Sequence, residues 1–299
     1  MATTTAEQPR TQPATVPRSS RMVRVLTRAP ATILLALIAL LWLVPTIGLF
    51  ISSFRTAAAN AESGWWTALT MPSQLTLEPY RNLLDDPSMV SAFVNTILIT
   101  VPSALLVVIV ASLAAYAFAW ITFRGRDVLF LIVVGLLVVP LQVALIPVAR
   151  LYDRLGLFGT IPGVVLFHVA FGLPFAIFLL RNFFVGLPHE LLEAARMDGA
   201  SEWTVFRRVV MPLGLPAIAS LLIFQFLWVW NDLLVGLTFA GGTPEVAPLT
   251  VAIREQLRSF SSNIDVIAPA AFLQMLVPLV VFFAFQRYFV QGLLAGSSR

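Results

Sequence analysis

Long apolar stretches, almost free of charged residues and separated by short polar segments, dominate this 299-residue chain. Each is about as long as the roughly 20 residues that an α-helix needs to cross the hydrocarbon core of a bilayer. Backbone groups in that core must be hydrogen-bonded within the segment, which favours helices. The pattern predicts an all-α, polytopic membrane helix bundle with six transmembrane helices, at residues 31–51, 90–120, 128–148, 160–180, 209–230 and 266–285.

The first 30 residues differ from the rest of the chain. They are rich in Thr, Pro, Ser and Arg and have no apolar period. A segment of this composition buries too little apolar surface to offset its ordering entropy. Residues 1–30 are therefore predicted to be a disordered cytoplasmic tail, followed by one transmembrane domain over residues 31–299.

Composition excludes several classes of protein. With 59% hydrophobic and 11% charged residues and a mean hydropathy of +0.89, the chain is not a water-soluble globular domain. It has no cysteine, which excludes disulfides and thiolate metal sites. All 19 basic residues are arginine, and a phosphate-binding P-loop needs a lysine. If ATP drives the work of this protein, a partner hydrolyses it.

The arginines predict the orientation, because they are in excess in short cytoplasmic loops. Thirteen lie in the tail, the second-to-third connection, the fourth-to-fifth connection and the C-terminal segment, and six lie on the opposite side. Both termini are therefore predicted to be cytoplasmic. The asymmetry accounts for the net charge of +4, so binding to nucleic acid is not needed to explain it.

A polar segment from Pro188 to Pro212, here called the polar loop, interrupts the apolar sequence. It is predicted to form two short helices around a turn at Gly199, a residue suited to the left-handed conformation. Ser201 caps the second helix and Pro212 stops it. An amphipathic loop that lies on the membrane surface is the alternative.

The polar loop resembles the coupling motif in inner-membrane permease subunits of bacterial ATP-binding-cassette (ABC) importers. That motif is Glu-Ala-Ala, three residues, Gly, nine residues, Ile, one residue and Leu-Pro. Val209 and Met211 replace the Ile and Leu conservatively. The resemblance implies a cytoplasmic helix-turn-helix coupling loop, whose ATPase-coupling residues are Glu193, Ala194, Ala195, Asp198, Gly199 and Pro212.

Flanking sequences are similar to the carbohydrate permeases of the maltose type, in the smaller, six-span partner subunit. The segments that show this similarity are PLQVALIPVARLYDRLGLFGT, LPFAIFLLRNFFVGLPHELLEAARMDGAS, FLWVWNDLL and QRYFVQGLLAGS. TVAIREQLRSFSSNIDVIAPAAFLQMLVP further resembles permeases for α-glucosides or glucosylglycerol. The relatives commonly end in Gly-x-x-x-Gly-x-Val-Lys-Gly, whereas here Ser-Ser-Arg follows Gly296.

The resemblance implies a complete importer in the bacterial inner membrane. This chain would form a transmembrane pathway with a second, homologous permease. Two copies of an ABC ATPase, which bind ATP and Mg²⁺, and an extracytoplasmic sugar-binding protein complete the complex. No cofactor is expected in this chain itself.

Sugar contacts are predicted at Gln225, Trp228 and Asn231. Side-chain amides form hydrogen bonds with sugar hydroxyl groups, and aromatic rings stack on the apolar faces of sugars. The three residues are three positions apart on a helix. Packing against the sister permease is the alternative, with the Trp as an interfacial anchor. His168 is interpreted as a helix-packing donor.

No catalytic or metal-binding residues are predicted, because the chain has two histidines and no carboxylate cluster. Two other classes of function stay open. An intramembrane hydrolase needs a buried nucleophile and base, for which the chain offers scattered Ser and His168. An ion-gradient transporter usually needs a buried coupling carboxylate, for which Asp232 is the candidate.

Overall fold

A computed structural model describes residues 18–240, 242–258 and 264–297. Across these ranges the chain is helical, which confirms the predicted all-α class. The helices are α1 Arg18–Ser52, α2 Ala57–Glu62, α3 Glu78–Asp85, α4 Pro87–Trp120, α5 Arg126–Leu136, α6 Leu141–Leu155, α7 Ile161–Val185, α8 His189–Met197, α9 Glu202–Val205, α10 Met211–Trp230, α11 Leu234–Phe239, α12 Leu249–Arg258 and α13 Ile264–Ser297.

Among the described residues, five helices are long and apolar enough to span a membrane, and α5 with α6 makes a sixth if the bent pair is one span. The five are Pro30–Ser52, Pro87–Trp120, Ile161–Val185, Glu202–Trp230 and Asp265–Gln286. Their order agrees with the predicted spans.

The third predicted span, residues 128–148, is not one straight helix. α5 ends at Leu136, α6 begins at Leu141, and the two are bent by 101°. Pro140 explains the break, because a proline disfavours the helical conformation of the residue before it and cannot donate a backbone hydrogen bond. The prolines inside the other long helices do not interrupt them.

The predicted tail is also corrected. Helix α1 begins at Arg18, so residues 18–30 are helical, whereas residues 1–17 lie outside the described part of the chain. The described residues up to Leu49 form one compact unit, and those from Phe50 onward form another. Within the first unit, the apolar side chains of α1 from Ile33 to Leu43 are largely exposed, as suits a helix surrounded by lipid.

The second unit is built around α4 and α7, which pack along most of their length, with α10 against both α4 and α13. Small residues at this contact, Ala111, Ala115 and Ala176, are fully buried and allow the helix backbones to approach closely. One apolar cluster fills the end of the bundle next to the polar loop, and a second fills the opposite end. The apolar core of the bundle therefore includes two separate clusters, one near each end.

Residues 53–77 form a small folded unit around one arginine, here called the Arg55 cap. The Arg55 side chain is completely buried, and its nitrogens donate six hydrogen bonds to neutral oxygens of Ala59, Asn60, Ser63, Thr67 and Gln74. The two ends of the cap are joined by the hydrogen bond from Thr76 N to Phe54 O, 2.7 Å long. The sequence did not indicate this arrangement.

Candidate functional site

The polar loop folds as the sequence predicts over its first half. α8 carries Glu190 in its first turn and Arg196 in its last, which complements the helix dipole. Gly199 follows with a φ of +82°, in the left-handed region that only glycine adopts at little cost. Ser201 then accepts a hydrogen bond from Thr204 N and caps α9.

The second half of the loop differs from the prediction. α9 is not a separate short helix, because a π-helical turn over Phe206–Val210 joins it to α10. Pro212 therefore lies in the first turn of α10 and does not stop the helix. The wider π turn accommodates the missing N–H of the proline and its ring, which would otherwise clash with the preceding turn.

Apolar contacts fix the polar loop to the bundle. Leu192 from α8 and Val205 from α9 are fully buried in the cluster formed by α4, α7 and α10. Burying one such side chain contributes about 1.5–3 kcal/mol. The two helices are thus held as one rigid body with the core.

A polar clamp adds a second attachment. Glu202 accepts hydrogen bonds from Tyr116 Oη and from Arg196 Nε, the latter 2.9 Å long. Arg196 Nη2 also donates to the Trp120 carbonyl oxygen at 3.4 Å. The hydrogen bond to Glu202 raises the pKa of Arg196 further above its usual range. The clamp connects α8 and α9 with the end of α4.

Trp120 extends the clamp to α7. Its Nε1 donates to the carbonyl oxygen of Phe184, 3.1 Å away, and its ring lies 5.2 Å from that of His189. The polar loop is therefore tied to the ends of both central spans. The sequence offered no signal for this, because Tyr116 and Trp120 lie in an otherwise apolar helix.

The outer surface of the polar loop is exposed. Met197 and Trp203 are 88% and 61% exposed, large values for apolar side chains. Glu193 is exposed as well and lies 3.0 Å from Nδ1 of His189. Ala194, Asp198 and Gly199 share this exposure, and Ala195 is half-buried. A mixed acidic and apolar surface on a rigid support suits binding to another protein.

The three predicted sugar contacts lie on one helix but in different surroundings. Gln225 is buried, Trp228 is half-buried and Asn231 is exposed. The Gln225 amide fits against Gly172 of α7, where a methyl group would be 2.6 Å from Nε2. Trp228 contacts His168 edge to face at 5.3 Å, and Asn231 donates to the Leu227 carbonyl oxygen. The structure therefore does not place all three on one open face.

Polar groups inside the bundle form a second region that the sequence only partly indicated. Thr100 Oγ1, Ser103 Oγ, His168 Nδ1 and Gln225 Nε2 are buried and have no hydrogen-bond partner within the described residues. His168 does not act as the predicted packing donor through Nδ1. Its Nε2 lies 3.8 Å from Asp232 Oδ2. In the described part of the chain, no three His, Asp or Glu residues are grouped closely enough to hold a metal ion.

A family model described as the inner-membrane component of binding-protein-dependent transport systems matches residues 87–294. The chain is 48% identical over 282 residues to the osmoprotective compounds uptake permease protein GgtD of Synechocystis, covering 93% of this chain and 95% of the relative. It is 45% identical over 252 residues to the alpha-glucoside transport system permease protein AglG of Rhizobium meliloti, covering 83% and 66%.

A solved structure has the same fold. It is a chain of a bacterial ABC transporter involved in the import of the acidic polysaccharide alginate, with a TM-score of 0.75 and 23% identity. The match covers 93% of this chain and all of the other. On the family match and these relatives, the chain belongs to the inner-membrane permease subunits of binding-protein-dependent ABC importers, and it is a transport subunit and not an enzyme.

Proposed function

We propose that this permease moves a sugar, either an oligosaccharide or an α-glucoside, delivered by a solute-binding protein. Of the two relatives described above, one is named for the uptake of osmoprotective compounds and the other for the transport of alpha-glucosides. Other relatives at about 30% identity are named for arabinooligosaccharides and diacetylchitobiose. The substrate class is therefore proposed from the relatives, and the contacts below are proposed from the geometry.

The polar loop is proposed to dock on an ABC ATPase that binds ATP and Mg²⁺. The observation that carries this is the clamped, exposed surface around Glu193, Met197 and Trp203. A rigid element attached to both central spans transmits a partner's movement as rigid-body motion of the bundle. A second permease, two ATPase copies and a sugar-binding protein complete the proposed complex. A solved relative of the same fold contains an alginate pentasaccharide-bound periplasmic protein.

Both termini and the polar loop are proposed to face the cytoplasm, on the arginine asymmetry. Because the chain has no cysteine, single cysteines report the side directly. The exposed positions Ser73 in the Arg55 cap and Met197 in the polar loop are suitable. We expect a membrane-impermeant maleimide to label Ser73→Cys in intact cells and Met197→Cys only after permeabilisation. Labelling of Met197→Cys in intact cells contradicts the orientation.

Trp228 and Asn231 are proposed to contact the sugar, with Gln225 positioning α10 against α7. An aromatic contact contributes about 0.5–1.5 kcal/mol, or roughly a twofold to twelvefold change in affinity. We expect Trp228→Ala to raise the sugar concentration for half-maximal uptake by about that factor, and Trp228→Phe to raise it less. Unchanged affinity for both Trp228→Ala and Asn231→Ala in assembled complexes contradicts the proposed contacts.

The proposed function is tested by purification of the tagged chain with its partners. We expect an ABC ATPase and a second permease to co-purify. ATP hydrolysis by this complex should rise when a binding protein loaded with an α-glucoside or oligosaccharide is added. Stimulation by a binding protein loaded with an amino acid but by none loaded with a sugar contradicts the substrate class.

A further inference from the structure

The connection between α10 and α12 comprises residues 231–240 and 242–248, and one carboxylate in it contacts both its own helix α11 and the spans. Asp232 Oδ2 accepts hydrogen bonds from Val235 N at 3.0 Å and Gly236 N at 3.1 Å, and so caps the start of α11. The Asp232 carbonyl oxygen accepts from Thr250 Oγ1 at 2.7 Å. One residue therefore fixes α10, α11 and the start of α12 relative to one another.

His168 of α7 faces this carboxylate across a gap. Its Nε2 lies 3.8 Å from Asp232 Oδ2, which is longer than a hydrogen bond. The imidazole is 1% exposed, its Nδ1 has no partner among the described residues, and the edge of the Trp228 ring packs against it. A buried polar group of this kind needs a partner to offset its desolvation.

A small cavity separates the two side chains from α4. It has a volume of about 10 Å³, close to the space that one water molecule needs, and Thr96 and Thr100 supply hydroxyl groups to its wall. The Thr100 hydroxyl has no partner in the described structure. Because 13% of the Asp232 side chain remains exposed, protons can reach the pair from the adjacent aqueous side.

Other charged groups of the surrounding elements face away from the cavity. Its described lining contains no titratable side chain other than His168 and Asp232. The remaining charged residues on the packed elements are half-buried or exposed: Arg150, Asp153, Arg154, Arg181, Glu245, Arg254, Glu255 and Arg258.

We propose that His168 and Asp232 form a proton-binding latch, which holds the α10–α12 connection on α7 more tightly as the pH falls. A proton taken up by the pair gives either an imidazolium beside a carboxylate or a carboxylic acid beside a neutral imidazole. Both forms attract, so the gap closes to a direct hydrogen bond.

The direction of the pH effect follows from the burial of Asp232. Burial raises the pKa of its carboxyl group from 3.8 to about 6. When the connection opens, Asp232 enters water and regains its ordinary pKa, whereas His168 stays in the span. The closed state, in which the connection is held on α7, is therefore stabilised most at low pH. This stabilisation relative to the open state is lost as the pH rises from 3.8 through about 6.

Hydrogen exchange of α11 in the purified complex tests the latch. Rates are corrected for intrinsic exchange and compared at pH 5 and pH 7. At pH 5 the solution is about one unit below the pKa of Asp232 in the closed state, and one unit corresponds to a tenfold change in an equilibrium constant. We therefore expect opening of α11 to be about tenfold rarer at pH 5 than at pH 7. Measurement in detergent exposes both sides to one pH and does not depend on the proposed orientation.

Three variants separate the latch from a general effect of pH. The quantity compared is the ratio of α11 opening at pH 7 to that at pH 5. Asp232→Asn keeps a side-chain oxygen that caps α11, but the amide cannot ionise, so this ratio should fall to about 1. His168→Gln removes the imidazole that would bond to the protonated carboxyl group and should lower the ratio, whereas Asp153→Asn, at an exposed position on α6, should leave it unchanged. The latch is rejected if Asp232→Asn keeps the wild-type ratio, or if His168→Gln does.

Discussion

Replacement of Arg55 by methionine is expected to unfold the Arg55 cap, with a loss of several kcal/mol in the free energy of unfolding of this part of the molecule. The guanidinium is fully buried and donates six hydrogen bonds. Methionine fills much of the volume but leaves several buried oxygens without a donor, and each costs about 1–3 kcal/mol. The loss is limited because some of these oxygens become accessible to water when the cap loosens.

Limited proteolysis and hydrogen exchange of residues 53–77 measure this effect. We expect rapid cleavage and loss of protection in Arg55→Met, partial protection in Arg55→Lys, and wild-type behaviour in Arg81→Met, which changes an exposed arginine on α3. The cap does not depend on its arginine if Arg55→Met and Arg81→Met are equally protected.

Replacement of Gly199 by valine is expected to reduce transport about tenfold while the complex still assembles. Gly199 has a φ of +82°, and a Cβ there would meet no atom within 4 Å. The cost is therefore conformational, roughly 1–2 kcal/mol, and not a clash. Relief of this strain rotates α8 relative to α9, and a loss of about 1.4 kcal/mol reduces the docked conformation tenfold.

The matched control is Gly199→Asn, because asparagine tolerates the left-handed conformation. We expect Gly199→Asn to retain most of the transport and of the sugar-stimulated ATP hydrolysis that Gly199→Val loses. Equal activity of Gly199→Val and the wild type means that the turn does not set the geometry of docking.

Local signals in the sequence were sufficient for the spans and for the first half of the polar loop. Gly199 and Ser201 act within a few residues, so the turn and the cap could be predicted. The break at Pro140 follows from the same kind of local rule, but the 101° bend does not, because neighbouring helices set the angle. Pro212 was wrongly predicted to stop the second helix, since a π turn accommodates it at the start of α10.

The contacts that tie the polar loop to the bundle could not be predicted. Tyr116 and Glu202 are 86 residues apart in the chain and meet only because α4 and α9 pack together. The same is true of His168 and Asp232, whose proximity depends on how α7 lies against the end of α10. Neither residue type nor spacing carries that information.

Uptake of a radiolabelled α-glucoside by proteoliposomes tests the central claim most directly. The vesicles contain this chain with its sister permease and ATPase, and the loaded binding protein is added outside. The account predicts uptake that requires ATP and Mg²⁺ on the ATPase side, is independent of ion gradients, and is lost in a Glu193→Lys, Trp203→Asp variant whose complex retains its fold. Uptake that continues without ATP, or that follows an imposed ion gradient, contradicts it.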